Sequence, residues 1–252
     1  MGTAGTGKTQ AYLSIAELAR KTKSKSRFYC IDTDYTLDAS LEAFPKLAEW
    51  DNFIWEQASE FDEQLDLARE YQKKAKRGDW INTDMISQVW ESVQEDFTNK
   101  IYGMGKADYF MMKREEVAKA KKDPKNFQPL EGWVDWNVIK PNYSSFVNTA
   151  VLNNKAHVFA CATAQPIQRG KGGNTKENIE QFAHIGARPG GEKRLGHIFH
   201  TVLLMKNQGE EVWTIDTGKD RSRPDQERLK LTSKQSGQFV NAYLRGVAGW
   251  TL

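Results

Sequence analysis

Two cysteines in 252 residues, Cys30 and Cys161, are too few to staple a fold together. Both sit in apolar runs, "RFYCI" and "HVFACATA", the setting of buried core thiols rather than of a disulfide or a metal pair. Such cysteine usage fits a reducing, cytoplasmic compartment. The four histidines, His157, His184, His197 and His200, show no zinc spacing with the cysteines. No apolar run nears the ~20 residues of a membrane helix, so no membrane association is expected. Met1 runs straight into glycines rather than into the basic and apolar stretch of a signal peptide. Net charge is only +3, so any nucleic-acid binding has to come from a local patch and not from bulk charge.

What the chain does have is enough apolar residue, 39%, to bury a core at this length without staples. Compact apolar runs alternate with helical patterns. "SRFYCIDTD", "NFIWEQA" and "AHVFACATA" read as strands, "TQAYLSIAELARKT" and "EFDEQLDLAREYQKKAKRG" as amphipathic helices, and "DWINTDMISQVWESVQEDFTNKIYG" as a short strand turning into a helix. That order predicts an α/β fold with a mostly parallel sheet flanked by helices. "YSSFVNTAVLNN" and "SGQFVNAYLRGV" read as helices, and "HIFHTVLLMKN" and "EEVWTIDTG" as strands. A charged segment at about 103–132 reads as a solvated insertion, and residues 166–196, with seven glycines, as a long flexible loop. Trp133 and Trp136 read as packing residues.

Gly2–Thr9, "GTAGTGKT", fits the phosphate-cradling pattern G-x-x-x-x-G-K-[ST]. Gly2, Gly5 and Gly7 let the backbone close on a triphosphate, with Thr3, Ala4 and Thr6 supplying further amides. The following helix points its positive end at the phosphates. Lys8 reaches the β- and γ-phosphates and the Thr9 hydroxyl binds Mg²⁺. "FYCIDTDYTLD" ends an apolar strand in acids, where ligands bind in an open α/β sheet, so Asp32 or Asp34 is placed to orient an attacking water. Asp84, ending "WINTD", fits a Mg²⁺-facing aspartate although Asn82 and Thr83 dilute the apolar run. Asp79 is the weaker alternative.

The order and spacing of these stretches resemble the RecA-like recombinase core over about residues 2 to 223, and the whole of 1–252 reads as one such ATPase domain. The resemblance puts Asp34 in place of the family's catalytic glutamate, one methylene shorter, and Asp84 in place of its Mg²⁺-coordinating aspartate. It makes Gln165, after "FACATA", a γ-phosphate sensor leading into a DNA-binding loop. Arg169, Lys171, Lys176, Arg188, Lys193 and Arg194 in that loop outnumber Glu177, Glu180 and Glu192, giving a net charge of +3 suited to phosphate contacts. "TIDTGKDRSRPD" resembles the Lys-x-Arg finger of the RadA and KaiC branch, in which Lys219 and Arg221 act on a neighbour's γ-phosphate. The insertion after Asp84 resembles small phage-borne members.

The resemblance therefore implies an ATPase using ATP and Mg²⁺ and assembling as a ring or filament of identical subunits. It implies action on single-stranded DNA in phage recombination or annealing, in the host cytoplasm. The alternatives are a ring-shaped helicase-like or loader motor, and a non-hydrolysing regulatory or structural module. One piece is missing. In such cores an apolar strand precedes the phosphate loop and pairs with the strands ending at Asp84 and near Gln165, yet only Met1 stands there. Either those two strands close on each other or another segment fills the gap. The expectation is a chain that starts late, whose upstream coding sequence would supply an apolar strand of about five residues.

Overall fold

The computed structural model describes residues 1–119, 130, 134–168, 175–209, 213–221 and 230–233. β1 (Phe28–Asp32) is buried along its whole length, as a run of large apolar residues in a doubly covered strand must be. It pairs in parallel with β2 (Phe53–Gln57) on one side and β3 (Trp80–Asp84) on the other. β3 in turn pairs in parallel with β4 (His157–Cys161). The strand order β2-β1-β3-β4 makes a four-stranded, all-parallel central sheet, compatible with a Rossmann-like or P-loop-like core.

The pleat splits each strand between two cores. Phe28, Cys30 and Trp80 join Tyr12, Leu13 and Ile15 of α1 (Lys8–Lys21), Leu37 and Leu41 of α2 (Leu37–Leu41), and Leu47 of α3 (Pro45–Ala48). Phe28 and Trp80 stack on neighbouring strands, ring centroids 5.9 Å apart. Tyr29, Ile31 and Ile81 face the other way. They meet Phe61, Leu65 and Tyr71 of α4 (Phe61–Lys74) and Val89 and Val93 of α5 (Ile86–Tyr102). Both cysteines are free and buried.

α6 (Lys106–Lys119) occupies the described part of the charged insertion and buries only Tyr109 in full. α7 (Trp136–Val147) begins seven residues earlier than the "YSSFV" pattern indicates, with Pro141 inside it, and runs on into a π-helical turn over Asn148–Leu152. Trp136 stacks on Trp90 of α5, centroids 5.6 Å apart, while Trp133 lies outside the described residues.

Residues 166–196 are not a bare loop. β5 (Ala164–Pro166) and β6 (Ala187–Pro189) form an antiparallel pair, with α8 (Lys176–Phe182) between them and α9 (Leu195–Ile198) after them. Elements of three to seven residues are too short to display a hydrophobic period, so the glycines dominated the reading. β7 (Thr201–Asn207), β8 (Trp213–Asp220) and β9 (Lys230–Ser233) complete the described chain as an antiparallel sheet. The helix expected at 236–247 lies outside the described residues. No helix among the described residues is long and apolar enough to cross a membrane.

The resemblance puts a strand between the strands ending at Asp84 and near Gln165, and the structure does not. β3 and β4 are direct neighbours along five registered pairs, so no strand belongs between them. Met1 and Gly2 lie on the other side of β4. Gly2 N–H donates to Ala162 O (3.1 Å) and Ala164 N–H to Gly2 O (3.2 Å). On the opposite flank Met205 N–H donates to Met1 O (2.8 Å), and the terminal ammonium to Leu203 O (2.8 Å). Met1–Gly2 is thus a two-residue stub of strand, parallel to both β4 and β7.

Candidate active site

From that stub the chain turns into the glycine loop at the C-terminal edge of the sheet. Gly2 is fixed by space: a Cβ there would stand 2.2 Å from Thr6 Oγ1 and 2.8 Å from Met205 O. Gly5 and Gly7 take positive φ, 71° and 79°, a region L side chains avoid. Thr6 is buried and its hydroxyl donates to Thr3 O (2.9 Å), tightening the turn. Thr3, Ala4 and Gly5 form the exposed tip. The first intrahelical bond of α1 is Ala11 N–H to Gly7 O, so the amides ahead of Ala11 have no helical acceptor and make a site for anions. Lys8 Nζ donates to Thr3 O (2.8 Å), an arm folded across the loop it would share with a triphosphate.

The parallel register sets Asp32 directly beside Asp84 at the same edge. Asp84 is fully buried, and neither of its oxygens completes a hydrogen bond. Burial pushes its carboxyl up to about 6. The Thr9 hydroxyl and the Cys161 thiol, both facing it, pull the other way, while the charges of Asp34 and Asp32 raise it further. Asp32 is also raised, chiefly by burial and secondarily by Asp34, and its Oδ2 accepts Leu37 N–H (3.2 Å). Asp34 is exposed and accepts from Thr36 Oγ1 (2.8 Å). Of the two candidates for orienting water, Asp34 is therefore the accessible one, and Asp32 is committed to the turn into α2. The Asp84–Met85 peptide is cis.

Asp79 has no part in this edge. It sits at the opposite end of β3, where its Oδ1 accepts Arg27 N–H (2.9 Å) and its Oδ2 accepts Lys76 N–H (2.8 Å). Those bonds account for its burial and remove it as a metal-site alternative. An unpaired buried carboxylate beside a hydroxyl, by contrast, fits a hard cation with oxygen ligands. Thr9 and Asp84 are the residues that would hold Mg²⁺.

Gln165 lies past the end of β4, exposed in β5 opposite Arg188. Of the basic residues, Arg169 and Lys171 fall outside the described residues. Lys193 and Arg194 are exposed, as is Lys176, which pairs with Glu180 (3.7 Å). Arg188 is half-buried, and its guanidinium donates to Pro189 O (2.8 Å). Lys219 and Arg221 do point the same way. Lys219 Nζ donates to His197 O (2.8 Å) and Gly196 O (3.3 Å), and Arg221 Nη2 to His197 O (3.3 Å). Lys219 is buried, and desolvation lowers its ammonium to about 8. The pair stands at the wrong end of the sheet to serve its own loop. Lys219 is level with Val202 and the stub is level with Met205, a drop of three residues, roughly 10 Å.

Two residues at the loop edge escaped the sequence reading. Thr163, not Gln165, bridges Gly2 where β4's line reaches the loop, and its N–H donates to Ser87 Oγ (3.2 Å). Tyr35, next to Asp34, is about half exposed and held at φ 59°. Neither belongs to a motif with a fixed spacing, so no sequence signal marked them. Models of known protein families give no match to the chain, and neither do curated proteins.

Proposed function

We propose that the chain is a RecA-like P-loop ATPase, acting on single-stranded DNA in phage recombination or annealing. The observation that carries this reading is a convergence: the glycine loop and the start of α1, Thr9, and the buried, unpaired Asp84 meet at one edge of a parallel sheet. The loop amides and Lys8 would bind and neutralise the triphosphate. Thr9 and Asp84 would hold Mg²⁺, which when bound supplies charge neutralisation at the phosphate oxygens. Asp34, exposed at the same edge, would orient the attacking water. Exposed Lys176, Lys193 and Arg194 offer the described part of a phosphate-contacting DNA surface.

Lys219 and Arg221 stand three residues below the level of their own loop, so in this reading they would serve a neighbour's nucleotide in a ring or filament. The test is a pair of measurements. Phosphate release should be lost in Lys8→Ala and in Arg221→Ala, and partly restored when the two inactive variants are mixed. Binding of single-stranded DNA on a filter should require ATP. Release that is unchanged in Lys8→Ala would replace this reading with a non-hydrolysing module. Strand unwinding in place of annealing would replace it with a helicase-like motor.

A further inference from the structure

The two cysteines stand in neighbouring rows of the central sheet and meet different partners. The pleat turns Cys30, Asn82 and Phe159 toward α1 in one row, and Asp32, Asp84 and Cys161 in the next, at the C-terminal edge. In the lower row the Cys30 thiol accepts Asn82 Nδ2 (3.1 Å), as a core thiol with its polar partner supplied. In the upper row Cys161 is level with Asp84 on the adjacent strand, and neither oxygen of that carboxylate completes a hydrogen bond. Both groups are sealed from solvent, Cys161 at 1% and Asp84 at 0% exposure.

A buried carboxylate in that condition calls for a cation. Thr9, in the first turn of α1, brings its hydroxyl to Asp84, and the Cys161 thiol reaches the same carboxylate from β4. Asp32 ends the row on the other side, but its Oδ2 is engaged by Leu37 N–H (3.2 Å). Among the described residues no three His, Cys, Asp or Glu side chains gather into a metal cage. The donor set at Asp84 is therefore one carboxylate, one hydroxyl and one sulfur, and any further ligands have to come from water or phosphate oxygens. Mg²⁺ takes oxygen ligands and gains nothing from sulfur. A thiolate is the ligand that separates zinc and cadmium from magnesium.

We propose that Cys161 is a sulfur ligand of this cation site, so that the site takes a thiophilic divalent ion such as Zn²⁺ in competition with Mg²⁺. The inference rests on the reading of Thr9 and Asp84 as cation ligands. On binding, a metal–sulfur bond replaces the S–H bond and the thiol proton leaves to solvent, with no change of oxidation state. Zinc then stands where Mg²⁺ would serve the triphosphate, and free zinc acts on the site as a competitor. Cys30 takes no part, because its thiol lies one row lower and is engaged by Asn82.

The probe is Cd²⁺, titrated into the full chain without nucleotide and followed by the ultraviolet charge-transfer absorption of its bond to thiolate. The band should appear in the parent chain and in Cys30→Ser, and be lost in Cys161→Ser and Cys161→Ala. Asp84→Asn should weaken Cd²⁺ binding by roughly tenfold or more. Zn²⁺ should erase the band, and a large excess of Mg²⁺ should move the titration to higher Cd²⁺ concentration, as competition for one site requires. No band in the parent chain, a band that survives in Cys161→Ser, or a titration that excess Mg²⁺ does not move would overturn the proposal. The first and last of these need no variant to fold. The outcome separates from that of the ATPase reading. Phosphate release that needs Lys8, with no band, leaves an oxygen-only Mg²⁺ site and removes Cys161 from it. A band that Mg²⁺ weakens, without phosphate release, upholds Cys161 as a ligand and removes the turnover.

Discussion

Asp79 and Asp84 are five residues apart, bracket the same strand, and are both buried, yet their surroundings are opposite. At the lower end of β3, Asp79 receives two backbone N–H groups and closes the turns that lead into β1 and β3. At the upper end, Asp84 receives none and is crowded by two further carboxylates. A carboxylate with two amide donors is a structural part, satisfied without help. One that is desolvated, unpaired and repelled costs stability, and a fold keeps such a group where an incoming cation offsets the cost. The contrast extends to the cations. Lys219 is buried and satisfied by carbonyls at the lower end, while Lys8 lies partly exposed across the loop at the upper end.

The sharpest way to break this contrast is Asp84→Asn. Magnesium-dependent phosphate release should fall by about a hundredfold or more. The unliganded protein at pH 8 should melt higher than the parent, because the substitution removes an uncompensated charge; a lower Tm would make Asp84 a structural acid like Asp79. Asp79→Ala should do the reverse. It should cost about 2–4 kcal/mol in urea unfolding through its two orphaned amides, and leave the nucleotide affinity of the folded fraction unchanged.

The pH dependence is a third handle. Asp84 has a folded pKa of about 6, above its ordinary value near 3.8. The native state therefore holds its proton more tightly. The group favours folding below about pH 4, and that contribution is lost as pH rises through 6. The loss should amount to about 3 kcal/mol in the unliganded protein and be absent in Asp84→Asn. Smallest of all, Asp34→Glu should leave Tm within a degree and change turnover only a few-fold, upward if the missing methylene limits the reach to water. No change in turnover would remove Asp34 from the hydrolytic step.

Much of the upper edge was legible because it is local. A glycine loop running into a helix, and apolar strands ending in acids, are patterns of adjacent residues, and the register then sets Asp32 beside Asp84. The polar Asn82 and Thr83 obscured β3, but the tertiary context buries both, with Asn82 Nδ2 donating to Cys30 Sγ (3.1 Å). Pro141 hid the first turns of α7. Strand order was not legible, since no spacing along a chain says which side of β4 the loop will join. Nor was the placement of Lys219 and Arg221, because the antiparallel return of β8 carries them to the end of the sheet opposite the loop.

Gly2 touches both sheets and the glycine loop, with a contact to Thr6 that leaves no room for a methyl group. Parting β4 from β7 must therefore break the Met205–Met1 or the Gly2–Ala162 bond, or else drag the loop out of shape. A ligand bound at the loop would thus be thermodynamically linked to closure of the sheet, and whatever factor one added to the other's equilibrium would be returned in full. A nucleotide would report on the cohesion of strands it never contacts.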